Sequence, residues 1–143
     1  MEFENTVTIR RPRAEVWSYL ATLEHTPEWN YAIESTRQTS AGPVGVGTEY
    51  AQTRTIPRRM TEKLTITEFR PDQVLAVEGD FGPFRGTTRY ELVAVDAGTT
   101  RLTNSVALRA GSALGLLGSV LGGSVRRAVG ENLGVLRQTL ESL

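Results

Sequence analysis

Alternation of apolar and polar residues dominates most of the chain and predicts a protein built largely from β-strands. Phe3, Val7 and Ile9 fall on one side of an extended segment and acidic or hydroxylated residues fall on the other, which predicts a strand over residues 2–10. A run of six more strands is predicted between residues 34 and 109, with its clearest members at residues 48–55, 61–69, 74–81, 85–95 and 101–108. The short connections between them favour an antiparallel meander.

Helical spacing of apolar residues interrupts this pattern after the first strand. Trp17 and Leu20 recur at helical period and predict one short helix. Residues 26–28 then combine a capping threonine, a proline and an acid, which is typical of a helix start. We therefore expect a second short helix that carries Trp29 and Ile33.

The last segment predicts one long helix that begins near Ser112 and ends near Leu143. Its apolar stripe has helical period and contains Leu114, Leu117, Leu121, Val125, Ala128, Asn132, Leu136 and Leu140. The predicted fold class is α+β, with a seven-stranded curved antiparallel sheet wrapped around this helix and two short helices after the first strand. A curved sheet and a straight helix bury their apolar faces against each other but leave space between them, so we expect an internal cavity.

Glycine is concentrated at the start of the predicted long helix, where each interior glycine costs about 1 kcal/mol relative to alanine. Two interpretations of residues 111–123 remain open. The glycines could allow close packing of the helix on the sheet, or they could keep this end loose so that it acts as a gate for a ligand.

Composition and charge narrow the possible functions of the protein. Sixteen basic residues balance sixteen acidic ones, so we expect no nucleic acid partner, and the apolar segments are too short for stable membrane insertion. The chain has no cysteine and one histidine, His25, which we interpret as a loop or capping residue. No metal and no cofactor is expected, and the start of the chain is unlike a signal peptide, which favours a cytoplasmic location.

Short motifs along nearly the whole chain resemble the START-like superfamily, also called SRPBCC, in particular its polyketide cyclase/dehydrase-like members. The motifs lie at residues 7–12, 15–20, 27–29, 45–48, 67–71, 90–92, 98–102 and 132–137. The resemblance implies a helix-grip fold in which residues 1–143 form a single ligand-binding domain. It implies little about the ligand, because one fold supports many functions.

Charged residues on the predicted strands are the candidates for chemistry. If Leu64 faces the cavity, period two places Glu62 and Glu68 on the same side. Arg54 shares a face with two neighbours in the preceding strand, so Arg54 and Glu62 could pair, orient a ligand or act in acid–base chemistry. The opposite register would expose both of them to solvent, and it remains open because unpaired buried charge is costly.

The predicted cavity wall combines apolar and aromatic residues with a few hydroxyl and amide groups. Its candidate ligand-binding residues are Trp29, Tyr50, Gln52, Met60, Leu64, Val77, Phe81, Tyr90, Val106, Leu117 and Leu121.

Three functions remain open from the sequence. The first is binding of a hydrophobic or aromatic small molecule in the cavity. The second, which the resemblance implies, is a polyketide cyclase/dehydrase-type enzyme in which Glu62 or Arg54 serves as acid, base or orienting group. The third is a protein-interaction module that uses the outer face of the sheet.

Overall fold

A computed structural model describes residues 1–110 and 118–143, excluding the side chains of residues 110 and 118–122. Within these residues the elements follow the order β1 (Glu2–Ile9), α1 (Arg13–Ala21), a 3₁₀ helix (Leu23–Glu28), β2 (Ile33–Gln38), β3 (Glu49–Arg54), β4 (Met60–Arg70), β5 (Val74–Phe81), β6 (Phe84–Asp96), β7 (Thr99–Ala110) and α2 (Gly118–Glu141).

The described strands form one antiparallel sheet with the order β1-β7-β6-β5-β4-β3-β2. Strands β2 to β7 are a meander in which each strand pairs with the next along the chain. Strand β1 instead pairs with β7, from Glu2 opposite Ala107 to Ile9 opposite Thr100. The predicted fold class, a seven-stranded antiparallel sheet with a C-terminal helix, is confirmed.

The two predicted short helices after β1 are confirmed as α1 and the 3₁₀ helix, but the second of them is shorter than predicted. The 3₁₀ helix ends at Glu28, before Trp29, and Ile33 is the first residue of β2. The Asn30 side chain accepts a hydrogen bond from the Ala32 backbone N–H at 3.1 Å. This local turn competes with helix formation and directs the chain into the sheet.

Helix α2 lies against the concave face of the sheet and buries Leu133, Leu136 and Leu140. Its C-terminal end is fixed by the junction after β1, where the Arg10 backbone N–H donates to Glu141 Oε2 at 2.8 Å and Arg11 Nη2 donates to the Glu141 carbonyl at 3.0 Å. Within the described residues no helix combines the length and the apolar character that crossing a membrane requires.

Several predictions fall on residues outside this description. They are the start of the long helix near Ser112, the place of Leu117 on the cavity wall, the side chain of Leu121, and most of the proposed gate at residues 111–123.

Two facing glycines mark the tightest packing of strand backbones in the sheet. Gly79 of β5 lies directly opposite Gly86 of β6. A Cβ atom on Gly86 would lie 1.9 Å from the Ala107 carbonyl oxygen, and one on Gly79 would lie 2.3 Å from the Lys63 carbonyl oxygen. Real Cβ atoms do not approach backbone so closely, so only glycine fits these two positions.

We therefore expect Gly86→Ala to lower the free energy of unfolding by at least about 2 kcal/mol, because the strand backbones must separate. Gly134→Ala is the matched control, since a Cβ at Gly134 in α2 meets no atom within 4 Å outside its own helix. That change should raise the free energy of unfolding by up to about 1 kcal/mol. Urea denaturation measures both, and equal effects of the two changes would contradict the close packing at Gly86.

Candidate functional site

A cavity of about 480 Å³ lies between the concave face of the sheet and helix α2. Its wall is mostly apolar and receives side chains from α1, the 3₁₀ helix, the five strands β3 to β7 and α2. The wall includes Ser124 and Asn132 of α2, which are eight residues apart. Eight residues span about 12 Å along the axis of a helix, so the cavity extends at least this far along α2. This size and lining are typical of sites that enclose a small organic molecule.

The mouth of the cavity lies where the β3–β4 and β5–β6 turns meet the segment before β2. Ile56, Pro57 and Pro83 come from the two turns and Tyr31 from the segment before β2. Tyr31 is 62% exposed and Ile56 is 47% exposed. The entrance is therefore bordered by apolar groups that are in contact with solvent.

The structure places many of the predicted site residues together on this wall. They are Trp29, Gln52, Arg54, Leu64, Val77, Phe81, Tyr90 and Val106. Their common face follows from the register, because Val77 lies opposite Thr88 and Thr88 lies opposite Val106 across three adjacent strands.

Tyr50, Met60 and Glu62 do not line the cavity, contrary to the sequence prediction. Tyr50 is 1% exposed and belongs to the hydrophobic core, two residues further from the mouth than Gln52. Met60 is the first residue of β4, at the end of the sheet. Glu62 points inward but lies behind Arg54, which covers it from the cavity.

Glu62 is a buried carboxylate that accepts hydrogen bonds from several donors. Its Oε1 accepts from Gln52 Nε2 at 2.9 Å, and its Oε2 accepts from Arg54 Nε at 2.7 Å and from the Gly82 backbone N–H. The Thr36 hydroxyl donates to Gln52 Oε1 at 3.2 Å and extends this chain to β2. The hydrogen-bond network around the Glu62 carboxylate therefore connects β2, β3, β4 and the β5–β6 turn.

Arg54 is the cationic partner in this network and the one charged group on the described cavity wall. The side chain of Arg54 is 14% exposed and that of Glu62 is 1% exposed. The bond to Glu62 uses Nε, so it leaves the terminal nitrogens of the guanidinium as further donors. A pair buried in this way keeps its charges only because each is matched by the other.

Glu68 lies on the outer face of the sheet, which corrects its predicted position beside Glu62. The pairing of β4 with β5 shifts between Ile66 and Glu68, so a β-bulge reverses the side on which later residues lie. Glu68 bonds with Arg89 and Arg70, and both contacts hold the pKa of its carboxyl below the usual range.

Polar groups that the sequence analysis did not single out also line the inner wall. Asn104 Nδ2 donates to the Thr88 hydroxyl at 2.7 Å and to the Arg89 carbonyl at 3.2 Å. Burial raises the pKa of the nearby Tyr90 phenol, while a hydrogen bond with Thr88 acts in the opposite direction. Trp29 meets Tyr90 edge to face, with ring centroids 6.5 Å apart. The only sequence signal for Asn104 was an amide in an alternating strand.

His25 packs outside the cavity. Its ring stacks on Tyr19 at a centroid distance of 4.3 Å, and its Nδ1 is 3.0 Å from the Tyr19 carbonyl oxygen. In the part of the chain that the structure describes, no group of three histidine or acidic side chains is placed to hold a metal ion.

Comparison with known proteins identifies a matching family model and solved structures that share this fold. A family model described as "Polyketide cyclase / dehydrase and lipid transport" matches residues 1–141. No curated protein matches the chain. The Zhui aromatase/cyclase from a Streptomyces species is similar in structure, with 18% identity, a TM-score of 0.78, and coverage of 99% of this chain and 93% of that chain. A START superfamily protein from Mycobacterium smegmatis has 16% identity, a TM-score of 0.76, and coverage of 99% and 94%.

Glu62→Gln should lower the free energy of unfolding by about 3 kcal/mol, because it leaves the Arg54 charge buried without its partner. Glu49→Gln is the matched control. It breaks the 3.2 Å pair with Lys63, whose side chain is 68% exposed, and should cost less than about 1 kcal/mol. Urea denaturation of the two variants tests this, and a cost for Glu62→Gln no larger than that for Glu49→Gln would contradict it.

Alkaline pH should destabilise the fold through two buried phenols. Burial, followed by Glu28, raises the pKa of Tyr19 to about 12, and burial, followed by Glu24, raises the pKa of Tyr50 to about 12. Unfolded tyrosine loses its proton near pH 10, so the stability that both groups contribute below about pH 10 is lost as pH rises towards about 12.

The test is the urea midpoint measured across this pH range. Tyr50→Phe should flatten the decline and also stabilise the protein at neutral pH, because the Tyr50 hydroxyl is buried with no hydrogen-bond partner among the described residues. Tyr19→Phe should instead destabilise at neutral pH, since the Tyr19 hydroxyl donates to Glu28 at 2.8 Å. A pH dependence that is the same in Tyr50→Phe as in the unmodified protein would argue against the raised pKa.

Proposed function

The chain belongs to the polyketide cyclase/dehydrase and lipid transport family of the START-like superfamily, and from this we propose that it binds a hydrophobic or aromatic small molecule in the cavity between the sheet and α2. We also infer that residues 1–143 act as one ligand-binding domain. The observation that carries the proposal is a mostly apolar cavity with a single charged side chain, Arg54, on its described wall.

The charge balance at Arg54 favours a particular ligand group. Glu62 already neutralises the guanidinium, so a ligand carboxylate would add a second, uncompensated negative charge to a poorly solvated site. A carbonyl or phenolic oxygen accepts hydrogen bonds from the Arg54 terminal nitrogens without that cost. We therefore expect a ligand with an apolar body and a neutral oxygen acceptor near the mouth.

A cyclase/dehydrase-type activity is the second candidate, and one observation favours it. Arg54 and Tyr90 share the cavity wall, and each carries a hydrogen-bond donor, the guanidinium and the phenol. Both could donate to a substrate carbonyl and stabilise an enolate. In this interpretation Arg54 is the orienting group. Glu62 is assigned no acid–base role, because its carboxylate oxygens already accept hydrogen bonds from Gln52, Arg54 and Gly82.

A protein-interaction role for the outer face receives less support. Ion pairs cover that face, including Glu68 with Arg89 at 3.0 Å and Asp80 with Arg85 at 3.0 Å. Interface centres are usually depleted of such charges.

The binding proposal can be tested with acetonaphthone, a naphthalene that carries a methyl ketone, and with isopropylnaphthalene, its isostere without oxygen. Both should bind, as measured by tryptophan fluorescence, and the ketone should bind about fivefold to tenfold more tightly. Arg54→Met should abolish this preference. Arg58→Met, which removes an exposed arginine four residues further along the chain, should preserve it.

If neither compound bound to the protein, the binding proposal would be refuted. A linear triketone, which can cyclise by intramolecular aldol addition and loss of water, separates the two candidates. Acceleration of its cyclisation that is lost in Arg54→Met but kept in Arg58→Met would favour the enzyme, and binding without acceleration would favour the binding protein.

A further inference from the structure

A cluster of exposed apolar residues borders the mouth of the cavity. Tyr31 is 62% exposed and Ile56 is 47% exposed, and Pro57 and Pro83 beside them are also exposed. We call these four residues the rim. They come from three separate segments of the chain, and all four line the mouth. Single exposed apolar residues are common in proteins, but a cluster built from several segments indicates a contact surface.

The rim is held in place by contacts between its three segments. The Thr55 backbone N–H donates to the Ala32 carbonyl at 2.8 Å, which joins the β3–β4 turn to the segment before β2. A Cβ atom on Gly82 would lie 3.7 Å from Pro57 Cδ, so the β5–β6 turn packs against the β3–β4 turn. The apolar groups of the rim therefore protrude from a fixed platform.

Arginines flank the rim, and acids match them only in part. Arg58 and Arg59 are both exposed in the β3–β4 turn. Arg59 pairs with Glu34 at 2.7 Å, and in the described part of the chain Arg58 forms no ion pair. Beside the β5–β6 turn, Arg85 of β6 lies directly opposite Arg109 of β7. Acids of β5 pair with Arg85, whereas Arg109 has no acidic partner within residues 1–110 and 118–143.

The connections at the other end of the sheet carry no such charge. Residues 39–48, 71–73 and 97–98 contain no basic residue, and Asp72 is their one acid. Basic and acidic residues balance over the whole chain, yet the connections concentrate positive charge at the mouth. A negatively charged surface would therefore attract the mouth end of the protein first.

We propose that the rim docks on the surface of an anionic lipid bilayer. Ile56 and the prolines protrude from tight turns, so they can enter the interfacial region without the matching pocket that a protein partner would have to supply. Tyr31 suits the headgroup level, because its ring is apolar and its hydroxyl is polar. Arg58 follows Ile56 after one residue, where its guanidinium can bind lipid phosphate. Docking through so few groups is peripheral and reversible.

The test is cosedimentation of the unmodified protein with two kinds of vesicle, one of phosphatidylglycerol and phosphatidylcholine in equal amounts and one of phosphatidylcholine alone. The protein should bind the anionic vesicles at least about tenfold more tightly, because several arginines face the bilayer. Salt at about 0.5 M should remove most of this binding, because it screens the charges.

Substitutions on the rim are compared with matched substitutions elsewhere. Ile56→Ser and Arg58→Gln should each weaken binding to the anionic vesicles by about fivefold. Val46→Ser changes a residue that is 70% exposed in the β2–β3 connection, and Arg101→Gln changes an exposed arginine near the β6–β7 turn. These two controls should change binding by no more than about twofold, because neither side chain reaches the bilayer when the rim is docked.

A tryptophan placed on the rim measures insertion directly. The emission of Ile56→Trp should shift to shorter wavelength with anionic vesicles, and lipids brominated on their acyl chains should quench it. Val46→Trp should show neither change. Trp17 and Trp29 are buried, and the unmodified protein gives their contribution to the signal.

Failure of the unmodified protein to bind anionic vesicles, or equal binding to both kinds of vesicle, would overturn the inference. A loss of binding as large in the two controls as in the rim variants would also overturn it. Sedimentation of the protein alone tests another occupant, since dimers that Ile56→Ser dissociates would mean that a second copy covers the rim instead. These results are distinct from those for the cavity, because acetonaphthone binding is measured without vesicles.

Discussion

The Glu62 carboxylate is the point at which the fold and the candidate site depend on each other. It is almost completely removed from solvent, and its bonds to Arg54, Gln52 and Gly82 join two strands and a turn. The same bonds set the side chain of Arg54 on the cavity wall and bring the β5–β6 turn to the mouth. A buried charge needs this full set of partners, so the position of the turn and of the guanidinium are determined together.

The cavity exists because the curved sheet and the straight helix α2 do not fit closely, and the core side chains do not fill the space between them. Gly79 and Gly86 allow the middle strands to approach closely, and the sheet curves around a helix whose inner face ends in leucines. Near the β1–α1 junction, the space between the sheet and α2 is filled by Leu133, Leu136 and Leu140. Towards the start of α2 the wall carries smaller side chains, among them Ser124 and Ala128, and the space stays open.

Most of the fold and part of the site could be read from the sequence because both follow simple periods. Period two located the strands and placed Gln52, Arg54 and Glu62 on the inner face, as the structure finds them. A β-bulge leaves no clear mark in the sequence, so Glu68 was assigned to the wrong face. Similarly, the second short helix ends at Glu28, and an asparagine turn follows where the helix was predicted to continue to Ile33.

Which inward-facing residues line the cavity and which belong to the core depends on tertiary packing, and the local sequence pattern does not determine it. Tyr50 shares its face with Arg54, yet it lies in the core because that end of the sheet is filled. Asn132 was predicted as one position of an apolar stripe, and only the structure shows that this buried amide lies on the wall of the cavity.

The pairing of β1 with β7 has a consequence for the order in which the protein folds. The first residue donates from its amino terminus to the Leu108 carbonyl, 107 positions away, whereas the hairpins of the meander close over connections of at most ten residues. Closing so long a loop costs far more chain entropy than closing a hairpin. The meander should therefore form first, and β1 joins it late. Helix α2 contacts β1, where Asn5 Nδ2 donates to the Arg126 carbonyl at 3.3 Å, so this contact should form together with β1 and after the meander.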